Sequence, residues 1–261
     1  MAVRDVTTVT RRHYDRFPYA FETALHAPLQ LDASLLGRAI REAAGPGKVV
    51  IDVGCGTGIV SRLVRDHAPG SAVVGVDLSH ESLRRAHEAE RRARLVQGDN
   101  LALPVRSGAA DLVISRGVIM TTSEPRDALA ELVRVLRAEG RLFVRIYSRR
   151  HPYRWVFRLC GPVCRAVATL RGGMAILAVT VFPVFLFLVE LAFLFLRGRF
   201  TRIPVGVGWS LFADQLLTPH NSFHTAEEII AWAATEGCHA VAHQTVTLGQ
   251  QIEFLFVKDA G

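Results

Sequence analysis

Lysine is nearly missing. Only Lys48 and Lys258 occur in 261 residues, so the net charge of +7 is carried almost wholly by arginine. That balance suits an anionic membrane surface or an acidic substrate. Nucleic acid is a poorer partner, because no basic run is interleaved with aromatic residues. Cysteine is also sparse, with Cys55, Cys160, Cys164 and Cys238. Cys160-x-x-x-Cys164 lacks a second ligand pair, which argues against zinc, and no other His, Cys, Asp or Glu cluster has metal-ligand spacing. Reduced thiols in an intracellular protein are the plain reading. Residues Ala2 to Arg12 contain no apolar run of the kind a secretory signal needs, so none is expected.

Half of the residues are hydrophobic, enough for one large α/β domain or one such domain with an insertion. The stretch Val49 to Gly58 organises it. An apolar run, Val49 to Val53, stops at Gly54, Gly56 and Gly58, and Ile59, Val60, Leu63 and Val64 then follow at helix-face spacing. Strand, tight turn and helix are implied. The turn leaves free N–H groups at a helix N-terminus, suited to a polar ligand group. The dinucleotide fingerprint G-x-G-x-x-G is the first rival. It requires glycine at position 59, where this chain has isoleucine. Asp52 also precedes the first glycine, and a carboxylate there repels a pyrophosphate but suits a cation such as an amino-acid ammonium.

A second apolar run, Ala72 to Val76, ends at Asp77, which is 19 residues beyond Gly58. An acid at the end of a second strand can accept hydrogen bonds from both ribose hydroxyls. Ser79 is placed to cap the next helix, which carries Leu83 and Ala86. Arg94 to Gln97 reads as a third strand, Asp111 to Ser115 as a fourth, Ala128 to Leu136 as a helix closed by Gly140, and Leu142 to Tyr147 as a fifth strand. This alternation gives a doubly wound parallel sheet whose ligand lies at the carboxyl ends of the strands.

The pattern Asp52-x-Gly54-x-Gly56-x-Gly58 resembles motif I of the class I S-adenosylmethionine (SAM) methyltransferases. Gly98-Asp99-Asn100-Leu101-Ala102-Leu103-Pro104 resembles that family's G-D-A-x-x-L-P segment. The resemblance covers residues 45 to 147 well and the two ends by topology alone. It implies a Rossmann-like seven-stranded methyltransferase sheet with SAM as cofactor, closed by an antiparallel pair near His239 to Leu248 and Gln251 to Val257. It also implies that Asp99 accepts from the adenine amino group, with Asn100 and Leu101 against the ring. Tyr14, Gly54, Cys55, Gly56, Gly58, Leu78, Ser115 and Arg116 complete the expected cofactor set beside Asp52 and Asp77. Taken alone, Asp99 reads as an ordinary turn or cap residue. Where many relatives carry two histidines after the fourth strand, this chain has Met120 and Thr121, so no general base carries over from there.

The aromatic segment from Arg11 to Phe21 is either a lid over the cofactor, as in many SAM methyltransferases, or a helix on the flank of the sheet. Tyr14 and Tyr19 are its candidate ligand contacts. Leu31 to Ala43 reads as an amphipathic helix ended by Gly45-Pro46-Gly47. Trp209 to Thr225 is dense in polar groups. Asp214, His220 and His224 are the candidate bases there, each also readable as a loop hydrogen-bonder, and Tyr19, Met120 and Trp209 are the candidate acceptor contacts. Thr225 and Glu228 form a capping box for a helix over 226–235.

Residues 148 to about 205 break the α/β pattern. Met174 to Leu196 holds 23 residues with one charge, Glu190, and one proline, Pro183. That exceeds the roughly 18 apolar residues that suggest a membrane helix. A single crossing would put the last strands on the wrong side of the bilayer, so the insertion must return: as a hairpin bent near Pro183, with 153–170 as its candidate partner, as a segment lying in the interface, or dry as a lid or dimer contact. Three readings stand: shallow membrane insertion, a soluble lid over an apolar acceptor, or a homodimer contact. The expected organisation is a helical cap over 1–44, a SAM-binding core over 45–147, an insertion and acceptor segment over 148–225, and closing elements over 226–261. The expected activity is methyl transfer to a hydrophobic small molecule or lipid. A non-catalytic, membrane-associated SAM-binding protein and a nicotinamide-dependent reductase are the alternatives. A cytoplasmic location follows, peripheral or monotopic at the inner face of the membrane.

Overall fold

Val49–Val53 forms β1, and Val50, Ile51 and Val53 are each 2% exposed or less, as expected of a central parallel strand covered on both faces. The computed structural model describes residues 3–19, 34–198 and 200–260. Residues 20–33, which include Phe21 and the expected helix start at Leu31, lie outside the described residues. β2 (Ala72–Asp77), β3 (Arg94–Gln97), β4 (Ala110–Arg116), β5 (Leu136–Tyr147), β6 (Cys238–Val246) and β7 (Gln251–Lys258) complete the sheet. Its order is β3-β2-β1-β4-β5-β7-β6. The first five strands run parallel, and β7 runs antiparallel between β5 and β6. This is the expected doubly wound, Rossmann-like seven-stranded sheet. Its winding reverses between β1 and β4, which opens a crevice at their carboxyl ends.

The described helices are α1 (Val3–Arg16), α2 (Leu35–Ala43), α3 (Ile59–His67), α4 (His80–Ala89), α5 (Pro125–Val135), α6 (Tyr153–Thr169), α7 (Gly173–Val179), α8 (Val181–Arg197), α9 (Val205–Phe212) and α10 (Ala226–Thr235). Strand alternation divides the core into two layers. Val50, Leu112, Ile114 and Phe143 face Leu36 and Ile40 of α2 and Val60 and Val64 of α3. Ile51, Val113 and Val144 face Leu129 and Leu132 of α5 and Ile229 of α10. The Thr225–Glu228 capping box starts α10, and the Ser79 hydroxyl caps α4.

Two boundaries differ from the expectation. Gly140 does not close a helix: α5 ends at Val135, and β5 begins at once by pairing Leu136 with Ala110. The chain then bulges over 137–140, with Glu139 at φ 59°, and rejoins β4 at Arg141 opposite Leu112. Arg137 on this bulge reaches Asp111 at 2.7 Å, so an ion pair holds the excursion. The bend in the apolar stretch falls at Thr180 between α7 and α8, not at Pro183. Pro183 lies in the first turn of α8, where its missing N–H would have no helical partner in any case.

The insertion forms a layer of its own. Leu177 of α7, Phe182 of α8 and Phe212 of α9 pack with Cys164 of α6 and Leu216, and Phe17 joins them from the end of α1. α9 lies back along α8, with the Trp209 ring 5.1 Å from that of Phe182.

Candidate cofactor and acceptor site

The glycine turn after β1 is shaped by a close approach. Gly54 has φ 71°, and a Cβ there would lie 2.2 Å from Val118 Cγ2, so only glycine fits. The turn then directs the Gly56 N–H to Asp77 Oδ2 at 2.8 Å, while the Ser79 N–H donates to Asp77 Oδ1 at 2.8 Å. The carboxylate at the tip of β2 is thereby fixed in orientation. Burial raises its pKa above the usual carboxylate range, and those two N–H groups pull it part of the way back. Asp52, on β1, is 2% exposed and accepts from Ser61 Oγ at 2.6 Å. Burial lifts its pKa to about 6 against that hydrogen bond. Asp99, after β3, takes the Leu101 N–H at 3.0 Å across a short turn.

These three acids line one cavity at the carboxyl edge of the sheet. Tyr14, Gly54, Cys55, Gly56, Leu78, Asn100 and Arg116 of the expected cofactor set line it too, as do Tyr19, Met120 and Asp214 of the expected acceptor and base sets. α1 borders the cavity with Thr7, Thr10 and Tyr14, three residues at helix-face spacing. It is anchored by Asp15, which accepts from Ser79 Oγ at 2.8 Å.

The far wall joins distant parts of the chain. Ala213–Leu217 is a single π-helical turn continuing α9, closed by the Thr218 N–H to the Ala213 carbonyl at 3.0 Å. It carries Asp214, whose Oδ1 accepts from Tyr14 Oη at 3.1 Å and whose Oδ2 accepts from Tyr147 Oη at 3.3 Å. Gln215 Nε2 donates to Tyr147 Oη at 2.7 Å. Burial raises the Asp214 pKa to about 6, and the donors from Tyr14, Gln215 and Tyr147 restrain the rise. Arg116 and Arg145 line the same wall, with Arg145 Nε on Glu253 at 2.9 Å. The Arg116 pKa falls to about 9, through burial first and the charge of Arg145 second.

Six expected site residues lie elsewhere. Gly58 turns away from the cavity, and a Cβ on it would meet Ala86 at 3.2 Å. Leu101 packs against the core under α5. Ser115 is fully enclosed on the same face of β4 as Val113. Trp209 stacks in the helical layer, 5.2 Å from the Phe212 ring. His224 continues the edge of β5: its N–H donates to the Tyr147 carbonyl at 3.1 Å, and its ring meets Ser222 Oγ at 2.8 Å and Trp232 at 4.9 Å. His220 is half-buried beside Glu124 and the Thr122 backbone, outside the cavity walls. Burial lowers the pKa of both histidines. Conversely, Thr57, Arg145, Tyr147 and Gln251 line the cavity without having been singled out. Tyr147 had a signal, since it ends the fifth strand and so belongs to the ligand edge of the sheet.

The cavity fits a nucleoside carrying a cationic amino-acid end. Its glycine turn leaves open space, since a Cβ on Gly56 would meet nothing within 4 Å. The hydroxyl oxygens of Thr10 and Thr57 are buried in its wall without a hydrogen-bond partner. Its carboxylates are spaced along three successive strands. Among the described residues no group of His, Cys, Asp and Glu is arranged to hold a metal ion.

Residues 51–144 match the profile of the family described as Methyltransferase domain. Demethylmenaquinone methyltransferase from Thermus thermophilus is 36% identical over 101 residues, covering 37% of this chain and 46% of that protein. Trans-aconitate 2-methyltransferase from Azoarcus is 33% identical over 134 residues, covering 48% and 52%. The chain thus spans about half the length of these curated relatives. The structure of magnesium protoporphyrin IX methyltransferase from Synechocystis with bound SAM superposes with a TM-score of 0.59 at 12% identity, over 98% of each chain. At that identity the likeness concerns the fold.

Proposed function

With a methyltransferase domain at residues 51–144 as its core, we propose that this chain transfers a methyl group from SAM to a lipophilic small-molecule or lipid acceptor. The observation that carries the reading is the convergence of Asp52, Asp77 and Asp99 on one cavity from the ends of β1, β2 and β3. We assign Asp52 to the ammonium of the cofactor, Asp77 to the ribose hydroxyls, and Asp99 with Asn100 to the adenine. Thr10 and Thr57 supply hydroxyls still in need of partners. When bound, SAM supplies a methyl group on a sulfonium, a strongly activated leaving group. The chain's own task is then alignment and exclusion of water.

α1 closes the cavity on one side, and Tyr19 and Met120 offer the surface against which an acceptor packs. Asp214 is the base we assign for an acceptor that must lose a proton. It is held by Tyr14 and Tyr147, and a pKa of about 6 leaves it ionised yet basic at neutral pH. The apolar character of the acceptor is supported by the helical layer, whose Phe212 precedes the Asp214 turn and whose Leu216 lies within it. A cytoplasmic location beside the membrane belongs to the same proposal.

Calorimetry with SAM and with NADH tests the cofactor: SAM should bind and NADH should not. Transfer of a labelled methyl to quinone, isoprenoid and polyketide-like phenols tests the reaction, and Asp214→Asn should slow transfer to a hydroxyl acceptor about 100-fold or more. Failure to bind SAM would sink the whole reading. Binding without transfer to any apolar acceptor would favour a non-catalytic SAM-binding role.

A further inference from the structure

Outside the cavity, the layer formed by α6 to α9 leaves an apolar face uncovered. Trp155, Leu159, Val179, Val184, Phe187 and Phe195 are 49–82% exposed. Gly173–Phe195 is long and apolar enough to cross a membrane by length and composition, yet only 11% of its most apolar window is buried. A helix apolar on all sides has to be covered by something, and a patch of this kind marks an interaction surface.

Charge selects the partner. From Tyr153 to Ala213 arginine occurs at seven positions, lysine at none, and Glu190 is the single acid. The Glu190 carboxylate is already engaged, accepting the Thr201 N–H at 2.8 Å and the Ile203 N–H. Arg165 is likewise engaged, donating to the Leu216 and Thr218 carbonyls at 3.3 and 3.2 Å, so the segment brings one occupied acid against six further arginines. A second copy would bring the same sign of charge and be repelled, whereas anionic lipid headgroups complement it. Trp155 sits between two of these cations, with Arg154 4.8 Å and Arg158 5.9 Å from its ring. An exposed indole flanked by guanidiniums suits the boundary between headgroups and acyl chains, where long cationic side chains reach back to the phosphates.

Topology then limits the depth. Thr201 and Ile203 are tied to Glu190, so the chain doubles back within 13 residues of it. α9 returns along α8 so closely that a Cβ on Gly208 would lie 2.8 Å from Leu186. Both ends of the layer rejoin the same sheet, through β5 on one side and α10 on the other. We propose that α6 to α9 dock this chain onto one leaflet of an anionic bilayer without crossing it. This inference deepens the location beside the membrane proposed above, and its vesicle readouts do not depend on SAM binding or methyl transfer.

The full chain is tested by sedimentation with phosphatidylcholine vesicles made with and without phosphatidylglycerol. At low salt, binding to the anionic vesicles should exceed binding to the neutral ones at least tenfold. It should weaken as salt rises toward about 1 M, where the Debye length is about 3 Å. The double variants Phe187→Ser with Phe195→Ser, and Arg154→Gln with Arg158→Gln, should each lower binding at least tenfold while far-UV circular dichroism stays that of the wild type. Brominated lipids should quench Trp155, read as the difference from Trp155→Phe, more from shallow than from deep acyl positions. Equal affinity for neutral and anionic vesicles, or full binding by both double variants, would overturn the proposal. Deeper quenching than shallow quenching would refute the one-leaflet geometry. A wild-type dimer that ignores vesicles, and that Phe187→Ser with Phe195→Ser turns into a monomer, would assign the face to a second copy instead.

Discussion

Asp52 combines two opposed demands. Burial favours its neutral form and lifts its pKa to about 6, while an ammonium partner needs it charged. The signs separate these effects. Its folded pKa lies above the unfolded value of about 3.9, so the cost of holding it ionised is fully present above pH 6. That cost fades as the pH falls toward 4, and stability rises. Cofactor binding runs the other way: SAM affinity should fall about tenfold between pH 7 and pH 5 as Asp52 takes up its proton. Calorimetry across that range checks this, and Asp52→Asn should flatten the profile at low affinity. A flat wild-type profile would show that Asp52 does not meet the ammonium. At Asp77, removing the ribose acceptor by Asp77→Ala should lose about 1.5–3 kcal/mol of SAM binding, or about 10- to 100-fold in Kd. Because Asp77 also holds the Gly56 and Ser79 N–H groups, Asp77→Asn is the gentler companion variant. Unchanged affinity in both would refute the assignment.

At the scale of elements, local chemistry and long-range packing act on different features. The capping box at Thr225 starts α10, which buries Ile229 and Ala233 against the sheet. Thr225→Ala should cost about 1 kcal/mol in urea denaturation, with most of it recovered by Thr225→Ser. A loss within error of zero would mean that packing of α10 alone sets its boundary. β1 and β2 were readable to within a residue because apolar runs ending at glycine or aspartate encode them locally, and the end of β3 is marked by the Gly98-Asp99 that follows it. The early start of β5 was not. Its pairing of Leu136 with Ala110 is a contact between strands, and periodicity within one segment carries no trace of it. The bend at Thr180 was likewise displaced from Pro183, since proline in a first helical turn is tolerated and does not break the helix.

For the whole molecule, α7 and α8 pack in an apolar cluster apart from those of the sheet, whereas α6 is joined to β5 through Tyr147, Tyr153 and Phe157. Excising residues 172–198 should therefore abolish vesicle binding and leave SAM affinity within about twofold, as measured by sedimentation and calorimetry on one preparation. Loss of both together would show that the two layers form a single cooperative unit. The same separation lets α7 and α8 present an apolar face without disturbing the sheet.

The strand-tip half of the candidate site was legible in the sequence, because its parts lie in consecutive strand–turn units. Asp52, Gly54, Gly56, Asp77 and Asp99 follow one another within 48 residues, and each is placed by the end of β1, β2 or β3. The acceptor half was decided only by tertiary structure. Tyr14 and Asp214 meet across 200 residues of chain, and Tyr147 joins them from β5. No local pattern could tell that Asp214 would line the cavity while His220 and His224 lie outside its walls. What separated them was a π-turn that carries the first to the ligand edge and a backbone pairing with Tyr147 that ties His224 to the end of β5.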